Sequence, residues 1–117
     1  MKIRQEQLDA FFVHDLVEHV RRYLPDQYRA LGEHGARQAV EHGMGRARSH
    51  GFLSNPGVRA YVQVMFVLGP DFDADPELDG ARQALAEPTE IQRVRALVAA
   101  AESHLRDRLA QAEGRSH

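Results

Sequence analysis

Seven histidines in 117 residues are the first side chains to weigh for chemistry. Histidine titrates near neutral pH and is the commonest ligand of transition metals. The densest group is His14-Asp15-Leu16-Val17-Glu18-His19. His14 with Glu18, and Asp15 with His19, stand four residues apart, so on a helix each pair shares a face and could clip a cation with two ligands. His14, Glu18 and His19 are therefore the metal-ligand candidates, to be completed by histidines from another helix. Those faces lie beside or opposite an apolar stripe, and solvated ion pairs are the expectation for them. The zinc-protease order His-Glu-x-x-His is absent, as is the Glu-x-x-His pair of di-iron bundles. His34-Gly35, His42-Gly43 and His50-Gly51 recur every eight residues. On one straight helix each such step drifts by about 80°, so the three cannot converge on one ion. No metal and no cofactor is expected.

Asp71-Phe72-Asp73-Ala74-Asp75 begins like a calcium loop. An EF-hand needs Gly at its sixth position and Glu at its twelfth. Here those positions hold Pro76 and Arg82, and a start at Asp75 places Gly80 correctly but leaves Ala86 at the twelfth. Asp71, Asp73, Asp75, Glu77 and Asp79 read instead as an acidic loop that caps a helix, with Phe72 in the core, and as a candidate surface for a protein partner. Ala47, Gly51, Ser54 and Val58 faintly resemble a helix-turn-helix. Its second helix, Gly57 to Leu68, would offer base edges only Arg59 and Gln63. None of Ser49, Ser54, Ser103 and Ser116 sits in a Gly-x-Ser-x-Gly turn, and no glycine loop cradles a phosphate. No catalytic residue is assigned, and the chain is not expected to be an enzyme.

The elements that would position these residues are helices. Leu8, Phe11, Phe12, Leu16, Val20 and Leu24 recur at three- and four-residue spacing, which predicts a helix over 4–24 stopped by Pro25. Asp26 to Leu31 reads as a helical turn closed by Gly32. A second helix over 33–50 carries Ala36, Ala39, Val40, Met44 and Ala47 inward, weakened by Gly35, Gly43 and Gly45. Ser54-Asn55-Pro56 is a cap followed by a first-turn proline. It opens a third helix to Leu68, apolar nearly all round in its second half and so central and buried. Gly69-Pro70 ends it. Asp75-Pro76 repeats the cap-then-proline signature and predicts a short helix to Ala86. A last helix over 89–112 shows apolar residues at 91, 94, 98, 101 and 105, a heptad seam in miniature. That seam docks on the chain's own core or supplies a dimer or partner interface; Leu97, Leu105 and Leu109 are its candidate contacts. The expected fold is all-α, a compact single-domain bundle of four main helices plus one or two short ones over 1–113, with 114–117 a frayed tail.

Composition narrows the classes. One domain fits the length, and a core of this size needs no staple. There is no cysteine, which removes disulfides, thiolate metal sites and thiol nucleophiles. Fifteen basic against seventeen acidic residues give a net charge of −2, unlike a general nucleic-acid binder. Met1 to Asp9 is polar, and the most apolar stretch, Tyr61 to Leu68, is far shorter than the roughly 18 residues of a bilayer span. No membrane association and a cytoplasmic location are expected.

Glu41-His42-Gly43-Met44-Gly45-Arg46-Ala47, Gly51-Phe52-Leu53, and Val58 through Leu68-Gly69-Pro70-Asp71-Phe72-Asp73 together resemble a family of small bacterial proteins. In that family a glycine-punctuated helix precedes a buried helix ending in a Leu-Gly-Pro-Asp-Phe-Asp turn. Ile3-Arg4-x-Glu6-Gln7-x-x-x-Phe11 fits it as well, so the likeness covers about the first 80 residues. Genes of this family often stand beside those of type VI secretion spikes and effectors. The resemblance implies an accessory role: adaptor, chaperone or immunity partner of a secreted effector. It carries no functional residues with it.

Three readings follow, in order. The first is a non-enzymatic helical protein-binding module whose partner is a secreted effector or spike component, with a homo-oligomer through the last helix as a further option. The second is a small metal-binding protein using His14, Glu18 and His19. The third is a helix-turn-helix-like DNA-binding regulator.

Overall fold

Phe12, Val13, Leu16, Val17 and Val20 form one apolar face of the first helix, α1 (Gln5–Tyr23). The computed structural model describes residues 5–115. Ile3 and Arg4 of the expected N-terminal match lie outside it, as does the side chain of Leu8. Phe11, expected on the inner stripe, is 64% exposed. Val13 and Val17 complete the stripe instead, and at about 100° per residue Phe11 falls on the far side.

Pro25 ends α1 and opens α2 (Pro25–Ser49), where its missing N–H costs nothing. Gly32 interrupts this helix with φ 73° and ψ 171°, a region open essentially only to glycine. The expected turn over 26–31 and the helix after it are thus two helical segments joined at Gly32. The second segment buries Ala36, Val40, Gly43, Met44 and Ala47. A Cβ on Gly43 would stand 3.2 Å from Val62 Cγ2 and closer still to the Met65 sulfur, so glycine lets the next helix approach.

That helix is α3 (Asn55–Leu68). Ser54 caps it by accepting from the Gly57 N–H at 3.0 Å, with Pro56 in the first turn, as the sequence predicts. Val58, Tyr61, Val62, Val64 and Met65 are buried. Its last three residues, Phe66 to Leu68, are only half-buried, so the helix is central but not covered all round. Gly69, with φ 111° and ψ 157°, turns the chain into a 3₁₀ turn, Phe72–Ala74. Phe72 is 1% exposed, in the core as expected.

The next helix, α4 (Asp79–Leu85), starts three residues later than expected. Asp75 Oδ1 accepts from the Glu77 N–H, and the Leu78 N–H bonds to the Asp75 carbonyl, so Asp75-Pro76 closes a turn rather than capping a helix. The final helix, α5 (Glu90–Arg115), begins behind Thr89, whose Oγ1 accepts from the Gln92 N–H. It runs three residues past the expected end at Ala112, and so reaches into the segment expected to fray; residues 116–117 lie outside the description. α1 packs on α2, α2 on α3, and both α3 and α4 on α5. The fold is an all-α single domain, 62 × 36 × 19 Å. No helix among the described residues is long and apolar enough to cross a membrane.

Candidate functional site

The structure concentrates buried polarity at one place, the turn after α3. Asp73 has a side chain only 1% exposed. Its Oδ2 accepts from Arg46 Nε and from His50 Nε2, both at 2.8 Å. Arg46 and His50 are four residues apart on α2, hence on one face. Tyr61, wholly buried on α3, stacks at 6.0 Å on His50 and meets the Phe72 ring at a tilt, 4.9 Å between centroids. Burial alone would raise the Asp73 carboxyl, but the hydrogen bonds and charges of Arg46 and His50 outweigh it and hold the group below its ordinary range. Burial pushes the Tyr61 hydroxyl well above its ordinary value, so it stays neutral. An ionised carboxylate only accepts, so His50 carries its hydrogen on Nε2.

The pair has the makings of a histidine–carboxylate dyad, yet Asp73 is shared with a guanidinium and sealed from solvent. The arrangement is a clasp that fixes the Leu68-to-Ala74 turn against α2. Nothing local announces it, because Arg46 and His50 stand 27 and 23 residues from Asp73. The one available signal was the eight-residue histidine recurrence. His50 reaches Asp73, and His42 Nε2 stands 3.9 Å from Asp71 Oδ1, so two of those three histidines lean on the same turn.

The metal candidates are not brought together with a histidine of another helix. Glu18 turns to Arg21, whose Nη2 donates at 2.6 Å, and that bond lowers its pKa. His19 Nε2 accepts from Gln63 Nε2 at 3.0 Å and its ring lies against Tyr23. His14 is exposed. Among the described residues no three His, Cys, Asp or Glu side chains gather in a way that could hold a metal ion. In α3, the helix proposed to read DNA, Val58, Tyr61, Val62, Val64 and Met65 are buried and Arg59 is exposed.

The partner candidates divide. Asp71, Glu77 and Asp79 are exposed and Asp75 is half-exposed, while Asp73 belongs to the buried clasp and faces no partner. Leu97 is 0% exposed and is a core residue, which removes it as a partner contact. The expected seam of α5 splits in the same way. Val94, Leu97 and Ala101 turn to the body. Ile91, Val98, Leu105 and Leu109 are 65%, 38%, 43% and 63% exposed. From Leu105 to Gly114 every residue is exposed, so this end of α5 runs past the body of the molecule. Leu53, 79% exposed, adds to the apolar surface beside Ile91, because its backbone N–H donates to Glu90 Oε1 at 2.7 Å.

Several grooves indent the surface of the described residues, of which two are lined in part by α2 residues. One of about 420 Å³ lies between α1 and α2, with Asp9, Arg37, Glu41 and Arg48 at its rim and Val13 and Met44 at its floor. Another of about 310 Å³, almost entirely apolar, lies beside the Gly32 kink among Leu31, Ala39, Met65, Phe66 and Pro70. No protein-family model, curated protein or solved structure matches the chain.

Proposed function

We propose that this chain is a non-enzymatic helical protein-binding module of bacteria that acts as an accessory to a type VI secretion effector or spike component. The observation that carries the reading is the outward apolar seam of α5. Four large aliphatic side chains share one face of a helix that outruns its own body, a disposition that monomeric proteins rarely leave uncovered. The exposed acids Asp71, Glu77 and Asp79 offer a second, charged surface. The resemblance of residues 41–73 to the Leu-Gly-Pro-Asp-Phe-Asp family supplies the secretion context.

The test is capture from the native cell, with the wild-type chain against Leu109→Asp and Asp79→Lys. Recovery of one effector or spike component in stoichiometric amount, lost in at least one variant, is the expected result. Recovery of no secretion component by any form would overturn the reading.

A further inference from the structure

The seam of α5 has a partner written into its own charges. Ile91, Val98 and Leu105 are seven residues apart and Leu109 is four further on, so all four fall within about 40° of one another around the helix. This is the spacing of a two-helix seam. Along one flank of it stand Arg95, Glu102, Arg106 and Glu113, in strict alternation of sign. Read backwards, the same flank alternates with every sign reversed. A second copy laid antiparallel therefore meets this flank with opposite charges throughout, whereas in a parallel pair this flank faces the other side of the partner's seam, where Val94, Ala101 and Ala112 offer no such complement. Antiparallel pairs bring residues of the same flank together, so the complementarity falls where the geometry uses it.

We infer that α5 pairs antiparallel with α5 of a second copy, about a two-fold axis at the level of His104. The inference rests on the reading that α5 binds protein, and it gives the Val98-to-Leu109 part of the seam to a second copy, which leaves Ile91 and the acidic loop for the secretion partner. In this register Glu102 of each copy faces Arg106 of the other, and Arg95 faces Glu113. Leu105 packs beside its own counterpart, and Val98 meets Leu109. The exposed end of each α5 then lies along the stretch of the other copy's α5 that is anchored to α3 and α4. A helical end of this length is marginal alone in water and gains a surface to pack on. Leu53, Ile91 and the acidic loop stay open for a different protein.

Sedimentation equilibrium over the micromolar range tests this. The wild-type chain is expected as two 13.2-kDa subunits. Glu102→Arg and Arg106→Glu each set like charges across the axis and weaken association on the order of tenfold or more. Mixing the two variants, or joining both changes in one chain, restores opposite signs and restores the pair. The chain has no cysteine, so single cysteines read the direction. Leu105→Cys cross-links to itself under mild oxidation and Ile91→Cys does not, because antiparallel pairing carries the two Ile91 positions far apart. A monomer at every concentration, a dimer indifferent to the charge changes, or equal cross-linking at both positions overturns the inference. A monomer whose α5 variants still lose a captured effector defeats the pairing and leaves the binding reading standing. A charge-sensitive dimer from cells that yield no secretion component does the reverse.

Discussion

At the scale of the residue, two aspartates of one motif have opposite roles. Asp73 is sealed against Arg46 and His50, while Asp71 is 77% exposed and only approached by His42. Asp73→Ala leaves a half-buried guanidinium without its partner and is expected to cost about 2 kcal/mol, discounted for the exposure of Arg46. Asp71→Ala is expected to stay within about 0.5 kcal/mol, as for other exposed pairs. Urea titration of both variants checks the contrast, and equal costs would show that Asp73 is not a clasp. Glu90 is the other working carboxylate. Its Oε1 accepts from the Leu53 and Ser54 N–H groups and the Ser54 hydroxyl, and a Cβ on Gly57 would run into it. Glu90→Ala is expected to cost about 1–2 kcal/mol. Gly57→Ala displaces the same carboxylate, so the double variant should lose clearly less than the sum of the single ones. Additive losses would mean that Gly57 and Glu90 act separately.

At the scale of the element, most of the helices were legible. Pro25, the Ser54 cap with Pro56, Gly69-Pro70 and Thr89 each stop or start a helix where the sequence places the boundary. Boundaries set by a single chemical cause read well. Faces read less well, because a three-or-four spacing leaves room for a wrong phase. Phe11 and Phe12 are neighbours, and only packing decides that Phe12 goes inward. In α5 the heptad seam is present, but the body takes 94, 97 and 101 and leaves 91, 98 and 105 outside. The clasp was illegible, since its members lie on separate elements and their types suggest nothing jointly. Gly32 gives an element-scale prediction. A Cβ there meets no atom within 4 Å, so the cost of Gly32→Ala is backbone strain at positive φ alone, about 1–3 kcal/mol. A neutral result by thermal melting would mean that α2 straightens without penalty. The exposed end of α5 gives another. A chain ending at Arg106 loses Asp107 to Gly114, all exposed, and should keep its monomer stability within about 1 kcal/mol, measured at a dilution where chains are single. A larger loss would place Leu109 among the core contacts.

At the scale of the whole molecule, two carboxylates tie stability to pH. Asp73 and Glu90 both hold pKa values below their ordinary 3.8 and 4.5. Their stabilisation is complete above those ordinary values and is lost as pH falls through the lower folded ones. Stability measured by denaturant should be level from neutral pH down to about 5 and then drop steeply toward pH 3. Asp73→Asn combined with Glu90→Gln should start lower and fall less. An equally steep fall in that double variant would assign the acid sensitivity to other carboxyls. Single-domain, all-helical character was readable from stripes, caps and the lack of any alternating segment. Which helices adjoin was not, because no local feature records that α3 takes α5 as a neighbour.

The Glu90 contact also sets an order of events. The first turn of α3 is closed by a side chain 36 positions further along. α3 is the middle of the core, and α5 follows it in the chain. Until Glu90 arrives, Leu53 and Ser54 keep open donors at the start of a helix that everything else packs around. A nascent chain therefore carries an unfinished start of α3 until the beginning of α5 has been made.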